Sequence, residues 1–400
     1  MKRDLHRDDA PTHAVVHLKY AAYGPFIYRR MVGRVDGRPA DGDMVAVLDK
    51  RGQPFGTAFY SSRGQIALRM VTFGAAPPDE SIVERRIARA VSLRRDLLRL
   101  DERSDAYRLV HAEGDGLSGL VADRFADWAV IELFSRAMFV RLPRLRAALA
   151  DAAGLDAARF VVRADDDIAR IEGFRLGGSP TGPDKPVAIT ENGVRFEADL
   201  AGGHKTGFFC DQRENRLALT ELTPGRSVLD LCCYSGGFAC YAAGPGKAAD
   251  VTAVDIDEPA LELARRNVWL NRAGDRVAIR QSDAFEFLRN ARRDGRTWDV
   301  VVLDPPKFVP SRDEMDRGMR KYRDLNALAA GVLRPDGILL TCSCSGLVGE
   351  QAFVETLARA ARSAGRTAQI FRISGAAADH PVQADAPESR YLTAVWARME

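Results

Sequence analysis

The sequence predicts an α/β protein in which a doubly wound C-terminal domain follows a β-rich N-terminal domain and a small α+β domain. Three observations predict it. The chain has 400 residues, too many for one ordinary domain of roughly 100–200 residues. Residues 14–75 break into short apolar runs separated by turn residues, a β pattern. From about residue 227, β-branched runs alternate with helical stretches, the pattern of a mostly parallel sheet covered by helices.

Taken in order, residues 1–78 form the β-rich domain. Its stretch GDMVAVLDKRGQPFGTAFYSS is broken by turn residues at Asp49 to Gln53 and Ser61 to Gly64. Ser81-Ile82-Val83-Glu84 reads as a capping box, opening a helix that runs to about Arg99 and makes 79–103 a linker helix. Residues 104–200 form the central α+β domain. Strands are predicted at 107–113, 117–124, 128–134 and 159–163, with a Gly114-Asp115-Gly116 turn and a helix over 136–153. Gly177 to Lys185 reads as a loop. Asn192-Gly193 between apolar runs at 187–191 and 194–199 predicts a hairpin. In the C-terminal domain, 201–400, strands are predicted at 228–232, 250–255, 277–281, 299–304, 337–342, 369–373 and 391–398. The clearest helices are 258–271 and 350–364.

Hydrophobic residues make up 46% of the chain, enough for cores, yet no run reaches the ~18–20 apolar residues of a membrane span. MKRDLHRDDA at the start is charged and has no apolar signal region. A soluble, cytoplasmic protein without membrane partners is therefore expected. The six cysteines, Cys210, Cys232, Cys233, Cys240, Cys342 and Cys344, include no CxxC pair. This spacing argues against a metal site and a disulfide framework. Residues 1–75 carry twelve Lys or Arg against seven Asp, a net +5. A second basic stretch holds Arg85, Arg86, Arg89, Arg94, Arg95 and Arg99. It reads equally as a solvated helix face or as a surface for nucleic acid.

The chemistry concentrates at the ends of the C-terminal strands. VLDLCCYSGGF (228–238) places Asp230 inside a strand and Gly236-Gly237 at the turn that follows, where glycine lets backbone approach a ligand. It lacks the GxGxxG of a dinucleotide site. An acid here favours a cofactor bearing positive charge, and S-adenosylmethionine has a sulfonium and an ammonium. Asp255, nineteen residues after Gly236, ends the next strand, where an acid commonly takes ribose hydroxyls. Asp257, before Glu258-Pro259, suits a helix N-cap instead. Asp283 can accept from an adenine amino group, cap the helix that begins near Ala284, or do both.

WDVVVLDPPKF (298–308) brings Asp304-Pro305-Pro306 to the carboxyl end of the sheet, where ligands bind in open α/β folds. Lys307 follows, where amino-group methyltransferases usually carry a base-stacking aromatic. GILLTCSCSG (337–346) delivers Cys344 just past the neighbouring strand. A thiol there can attack carbon-6 of a pyrimidine and make carbon-5 nucleophilic. A lone cysteine is more often a small buried hydrophobe, the reading given to Cys342.

These motifs, with HKTGFFCDQREN (204–215) and Ala378-Asp379-His380-Pro381, resemble the bacterial ribosomal-RNA large-subunit cytosine-5 methyltransferases of the RlmI type. The resemblance covers nearly the whole chain. It implies an N-terminal PUA-like RNA-binding domain, a central α+β domain and a Rossmann-like class I S-adenosylmethionine-dependent domain. It also implies that Cys344 is the nucleophile and that Asp304 holds the cytosine edge. Cofactor contacts are implied for Phe209, Asp211 and Arg213 of the segment over the methionine end, with Arg213 as carboxylate partner. Further ones fall on Asp230, Tyr234, Ser235 and Gly236, and on Asp255, Ile256, Asp283 and Asp304. Pro305, Pro306, Lys307 and His380 are the implied substrate contacts. The expected partner is ribosomal RNA, and some family members dimerise, which keeps a homodimer open. Where relatives carry a His-Pro-Trp-like motif, this chain has Tyr23-Gly24-Pro25-Phe26. Two alternatives remain: an N-methyltransferase acting on RNA or a small molecule, and a non-catalytic RNA-binding protein. Asp304, His380 or a water are equal candidates for removing the carbon-5 proton.

Overall fold

The computed structural model of the chain describes residues 13–20, 22–177, 182–202 and 206–400. His204 and Lys205 of the HKTGFFCDQREN segment lie outside them. Among the described residues no helix is long and apolar enough to cross a membrane, and no cluster of His, Cys, Asp or Glu could hold a metal.

The N-terminal sheet has six strands, β1 (Val15–Leu18), β2 (Phe26–Tyr28), β3 (Val32–Asp36), β4 (Met44–Leu48), β5 (Pro54–Tyr60) and β6 (Ile66–Phe73), in the order β2-β6-β5-β4-β1-β3. Alternation along the strands sends residues to two cores. Val45, Val47, Ala58 and Leu68 fill the sheet's own core, while Met44, Phe59 and Val71 join that of the central domain.

Helix α1 (Ile82–Ser92) continues through a π turn at Leu93–Leu97. Its predicted capping box does not form. Ser81 is itself helical, and the Asp79 carboxylate accepts from the Ser81 N–H at 2.9 Å and its hydroxyl at 2.7 Å. Nor is the helix a linker, because Val83, Ile87, Ala90 and Val91 are buried in the central core. Its arginines are mostly committed to the fold. Arg94 is fully buried on Asp115, Arg86 donates to the Val71 and Gly116 carbonyls, and Arg85, Arg95 and Arg99 pair with Asp79, Asp101 and Glu102.

The central sheet, β7 (Ala106–His111), β8 (Leu120–Phe125), β9 (Trp128–Leu133) and β10 (Phe160–Arg163), has the order β10-β9-β8-β7. The helix expected over 136–153 is two helices, α2 (Arg136–Val140) and α3 (Leu142–Ala153). Pro143 at the start of α3 has no N–H to continue the ladder of α2. After α4 (Asp166–Glu172) comes the hairpin of β11 (Val187–Glu191) and β12 (Val194–Ala198), turned by Asn192 and Gly193, both at positive φ. Its Ile189 and Phe196 pack into the core of the C-terminal sheet. The expected unit 104–200 therefore has no separate core at its end.

The C-terminal domain begins with α5 (Arg213–Leu219). It continues with β13 (Ser227–Leu231), α6 (Gly237–Ala243), β14 (Asp250–Asp255), α7 (Glu258–Leu270), β15 (Val277–Gln281), α8 (Ala284–Arg293) and β16 (Trp298–Leu303). It ends with α9 (Met315–Gly331), β17 (Leu333–Ser343), α10 (Glu350–Ser363), β18 (Ala368–Ser374) and β19 (Thr393–Met399). Sheet order is β15-β14-β13-β16-β17-β19-β18, parallel except for β19, which is antiparallel to both its neighbours. The order reverses between β13 and β16, so the ligand crevice of this architecture lies at their carboxyl ends.

Candidate active site

Four parallel strands, β13, β14, β16 and β17, deliver their carboxyl ends to one edge. Three residues after β13 are left-handed, Cys232, Tyr234 and Gly236. They coil the turn so that the Tyr234 N–H donates to Asp255 Oδ2 at 2.8 Å, and Asp255 Oδ1 accepts from the Asp257 N–H at 3.0 Å. Asp257 holds the N-cap position of α7 with extended backbone, without a side-chain cap bond. Both glycines allow close packing around this turn. A Cβ on Gly236 would meet Ala264 at 3.3 Å, and one on Gly237 would meet Arg216 at 3.2 Å. Ser235 is buried, and its carbonyl accepts from Asn267 at 2.9 Å.

Asp230 is fully buried beneath this turn, rather than standing at the surface of a ligand pocket. Its Oδ2 accepts from the Ala239 N–H of α6 at 2.9 Å, and its Oδ1 has no hydrogen-bond partner. Burial, reinforced by the Asp304 and Asp255 carboxylates against that one bond, pushes the Asp230 carboxyl up to about 8. A concentration of acid with an orphaned oxygen fits a cofactor that brings positive charge. Ile256, beside Asp255, is 65% exposed. Asp283 caps α8 by accepting from the Glu286 N–H at 3.0 Å, and is itself exposed.

The loop after β16 and the end of β17 meet. The Cys344 thiol donates to the Pro305 carbonyl at 3.7 Å, and Cys344 is only partly buried. Pro306 and Lys307 beside it are exposed, while Pro305 is buried. Cys342, two residues back within β17, is fully buried, and burial pushes its thiol well up. Asp304 Oδ2 accepts from Gln212 Nε2 at 2.9 Å.

The segment 206–216 lies across the crevice and is anchored by the chain around 374–391. Phe209 meets the Tyr234 ring edge-on at 5.1 Å, and Asp211 accepts from the Tyr391 hydroxyl at 2.5 Å. Arg213 is not a carboxylate clamp for a cofactor. It is 1% exposed, and both terminal nitrogens bind Asp379, at 2.7 and 3.0 Å. His380 is no substrate contact either. Its side chain is 1% exposed, with Nδ1 3.0 Å from Asp379 Oδ1. Burial alone would raise the Asp379 carboxyl, yet His380 and Arg213 hold it well below the usual carboxylate range. Asp379 also accepts from the Arg108 N–H at 2.8 Å, and its carbonyl accepts from Arg94 at 2.6 Å. Sequence reasoning gave no part to Gln212, Asn215 or Asp379. Only their place inside the quoted motifs signalled them.

Comparison with known proteins places this geometry. Over 380 residues the chain is 38% identical to ribosomal RNA large subunit methyltransferase I of Shewanella amazonensis, covering 94% of this chain and 95% of the relative. The chain belongs to that methyltransferase family. The enzyme of the same name from Tolumonas auensis is 38% identical over 374 residues, 92% of this chain and 93% of the relative. Residues 176–372 match the S-adenosylmethionine-dependent methyltransferase family, and 19–73 match the PUA-like domain. A crystal structure of a protein in complex with SAH superposes with a TM-score of 0.79 at 19% identity, over 96% of this chain and 99% of that one. The fold is thus a PUA-like domain ahead of a class I methyltransferase domain, and the family's cofactor is S-adenosyl-L-methionine.

Proposed function

We propose that the chain methylates carbon-5 of a cytosine in large-subunit ribosomal RNA through a covalent adduct at Cys344. The observation that carries this reading is the Cys344 thiol 3.7 Å from the Pro305 carbonyl, at the mouth formed by β16 and β17. The nucleic-acid class rests on the activity named for the relatives. Asp255 and the turn above the buried Asp230 are the groups at hand to hold the cofactor, which supplies an electrophilic methyl group.

Cys344 as thiolate bonds to carbon-6 of the pyrimidine, and the ring electrons move to carbon-5. Asp304 takes the exocyclic edge of the base and holds the ring over the sulfur. Once carbon-5 is methylated, its proton leaves to a base in the cleft and the carbon–sulfur bond breaks, returning Cys344. Asp304 is the acidic group on the Pro-Pro loop, and His380 is enclosed elsewhere with Asp379. Lys307, rather than a stacking aromatic, follows the prolines, which favours carbon-5 over an amino group.

The test uses ribosomal RNA containing 5-fluorocytosine. Fluorine cannot leave as a cation, so the methylated adduct stays on sulfur. Wild-type protein is expected to give a retarded band on a denaturing gel, and Cys344→Ser none. Turnover on ordinary RNA should fall at least about 1000-fold in that variant, roughly 4 kcal/mol of barrier. A Cys344→Ser enzyme with near-normal turnover, or N4-methylcytidine in the nucleoside digest, would overturn the reading.

A further inference from the structure

A hydrogen-bonded chain of buried and half-buried side chains runs from the antiparallel end of the C-terminal sheet to Asp304. The Trp396 indole N–H donates to Ser374 Oγ at 2.9 Å. Ser374 donates to Asn215 Oδ1 at 2.7 Å, and Asn215 Nδ2 donates to Gln212 Oε1 at 2.6 Å. Gln212 Nε2 then donates to Asp304 Oδ2 at 2.9 Å.

The direction of this chain is forced. An indole nitrogen can only donate, so Ser374 accepts there and its own proton goes to Asn215 Oδ1, the atom that faces it. That turns the Asn215 amide nitrogen towards Gln212. The same nitrogen reaches the Gly375 carbonyl at 3.1 Å, an acceptor that independently forbids a flip. With its oxygen engaged by Asn215, Gln212 has only its NH2 group to offer Asp304. Gln212 and Asn215 are each 3% exposed and Trp396 is fully buried, with Ser374 half-buried between them, so the Asn215–Gln212 link is closed to water. A glutamine beside a protonated acid could turn either way, and here the Asn215 and Gly375 contacts hold Gln212 as the donor.

We propose that Gln212 is a positioning residue: it fixes the Asp304 carboxylate as a hydrogen-bond acceptor in the orientation that receives the cytosine, and the Trp396-Ser374-Asn215 chain fixes Gln212. This rests on the reading of Asp304 given above. The chain does not touch the reacting atoms and acts only through that carboxylate.

The decisive variant is Gln212→Glu, which keeps shape and still accepts from Asn215. Towards Asp304 it presents an acid, which donates only while protonated. Two readouts on the full-length protein separate the inference from the function it rests on. The first needs no RNA: the carboxyl carbon-13 shift of Asp304, assigned by its loss in Asp304→Asn, is followed against pH. In Gln212→Glu the two carboxyls should share a proton and titrate at least one pH unit higher than Asp304 in the wild type. The second is methyl transfer to ribosomal RNA prepared without the modification. The variant-to-wild-type kcat ratio should fall about tenfold or more between pH 6 and pH 8.5, with cofactor Kd within about threefold. Ser374→Ala should lower kcat less, without the pH dependence. An unchanged Asp304 titration in Gln212→Glu overturns the positioning role, whatever the reaction. A shifted titration with a kcat ratio independent of pH instead removes Asp304 from the reaction and leaves Gln212 as its structural partner.

Discussion

The interior seam and the reactive rim treat charge in opposite ways. Along the seam between the central sheet and the C-terminal domain, each buried ion has its partner: Arg94 with Asp115, Arg108 with Asp123, Arg213 with Asp379, Arg216 with Glu191. At the rim, Asp230, Asp255 and Asp304 converge, and Asp230 keeps an oxygen without a partner. Buried ion pairs repay their desolvation only when every lone pair and proton is engaged. The seam comes near that condition, with only the Nε atoms of Arg94 and Arg213 lacking an acceptor among these pairs. At the rim the orphan is an acid oxygen beside two further carboxylates, a deficit that added positive charge would relieve.

The largest expected effect separates the two. Asp379→Ala leaves Arg213 and His380 buried without their acceptor, and breaking such a pair costs about 3–5 kcal/mol. Urea unfolding should record that loss, while Cys344→Ser at the rim should leave the midpoint unchanged. A loss below about 1 kcal/mol in Asp379→Ala would mean that the seam relaxes around the gap and does not act as a unit.

The two regions were unequally legible in the sequence. The rim is built from strand ends, and strands announce themselves. Runs such as VVVL in β16 place Asp304 without knowledge of any partner, and Asn192-Gly193 fixes the hairpin turn. The seam is invisible because its pairs are remote. Arg213 and Asp379 are 166 positions apart, and Arg94 reaches the Asp379 carbonyl across 285. The resemblance implies Arg213 as a partner of the cofactor carboxylate, and the arginines of α1 read equally as a solvated face or a basic surface. Tertiary partners remove both readings. Asp79 taking the cap bond from Ser81 is a local version of the same failure, since two acceptors competed and spacing alone did not decide.

Opposite pH signs sharpen the comparison further. Asp379, held well below the ordinary carboxylate range, contributes stability that is present above about pH 4 and lost only as acid titrates it. Asp230 has a folded value of about 8, above its ordinary 3.8, so its contribution is complete below about pH 4 and lost as pH rises towards 8. Asp230→Asn should therefore flatten the alkaline decline in stability of the cofactor-free protein, by on the order of a few kcal/mol at pH 8. Cofactor binding near pH 7 should also expel a proton, as positive charge favours the ionised carboxyl. Calorimetry in buffers of different ionisation enthalpy reads that release. If wild type and Asp230→Asn release the same number of protons, Asp230 does not answer the cofactor.

The smallest effect concerns the N-terminal sheet, where the same contrast between committed and available charge recurs. Arg29 donates to the carbonyls of Ser61, Arg63 and Gly64, and Arg69 pairs with Glu172 of α4. These cations belong to the fold. Lys19, Arg30 and Arg38 are exposed on the same domain. Removing the whole sheet would take Met44, Phe59 and Val71 out of the shared core and uncover the residues they pack against, so single substitutions are the usable probe. A cation that touches phosphate releases about one counterion, and its loss reduces the slope of log K against log salt by roughly 0.7–0.9. If this face carries the RNA, Arg30→Ala should lower affinity for ribosomal RNA a few-fold at 0.1 M salt and flatten the slope by about that amount. Arg69→Ala should instead lower the unfolding midpoint and leave the slope of the folded protein unchanged. Identical slopes for wild type, Lys19→Ala, Arg30→Ala and Arg38→Ala would take phosphate contact away from this sheet. The RNA backbone would then have to be held by cations of the C-terminal domain, of which Lys307 is the exposed one beside the Pro-Pro loop.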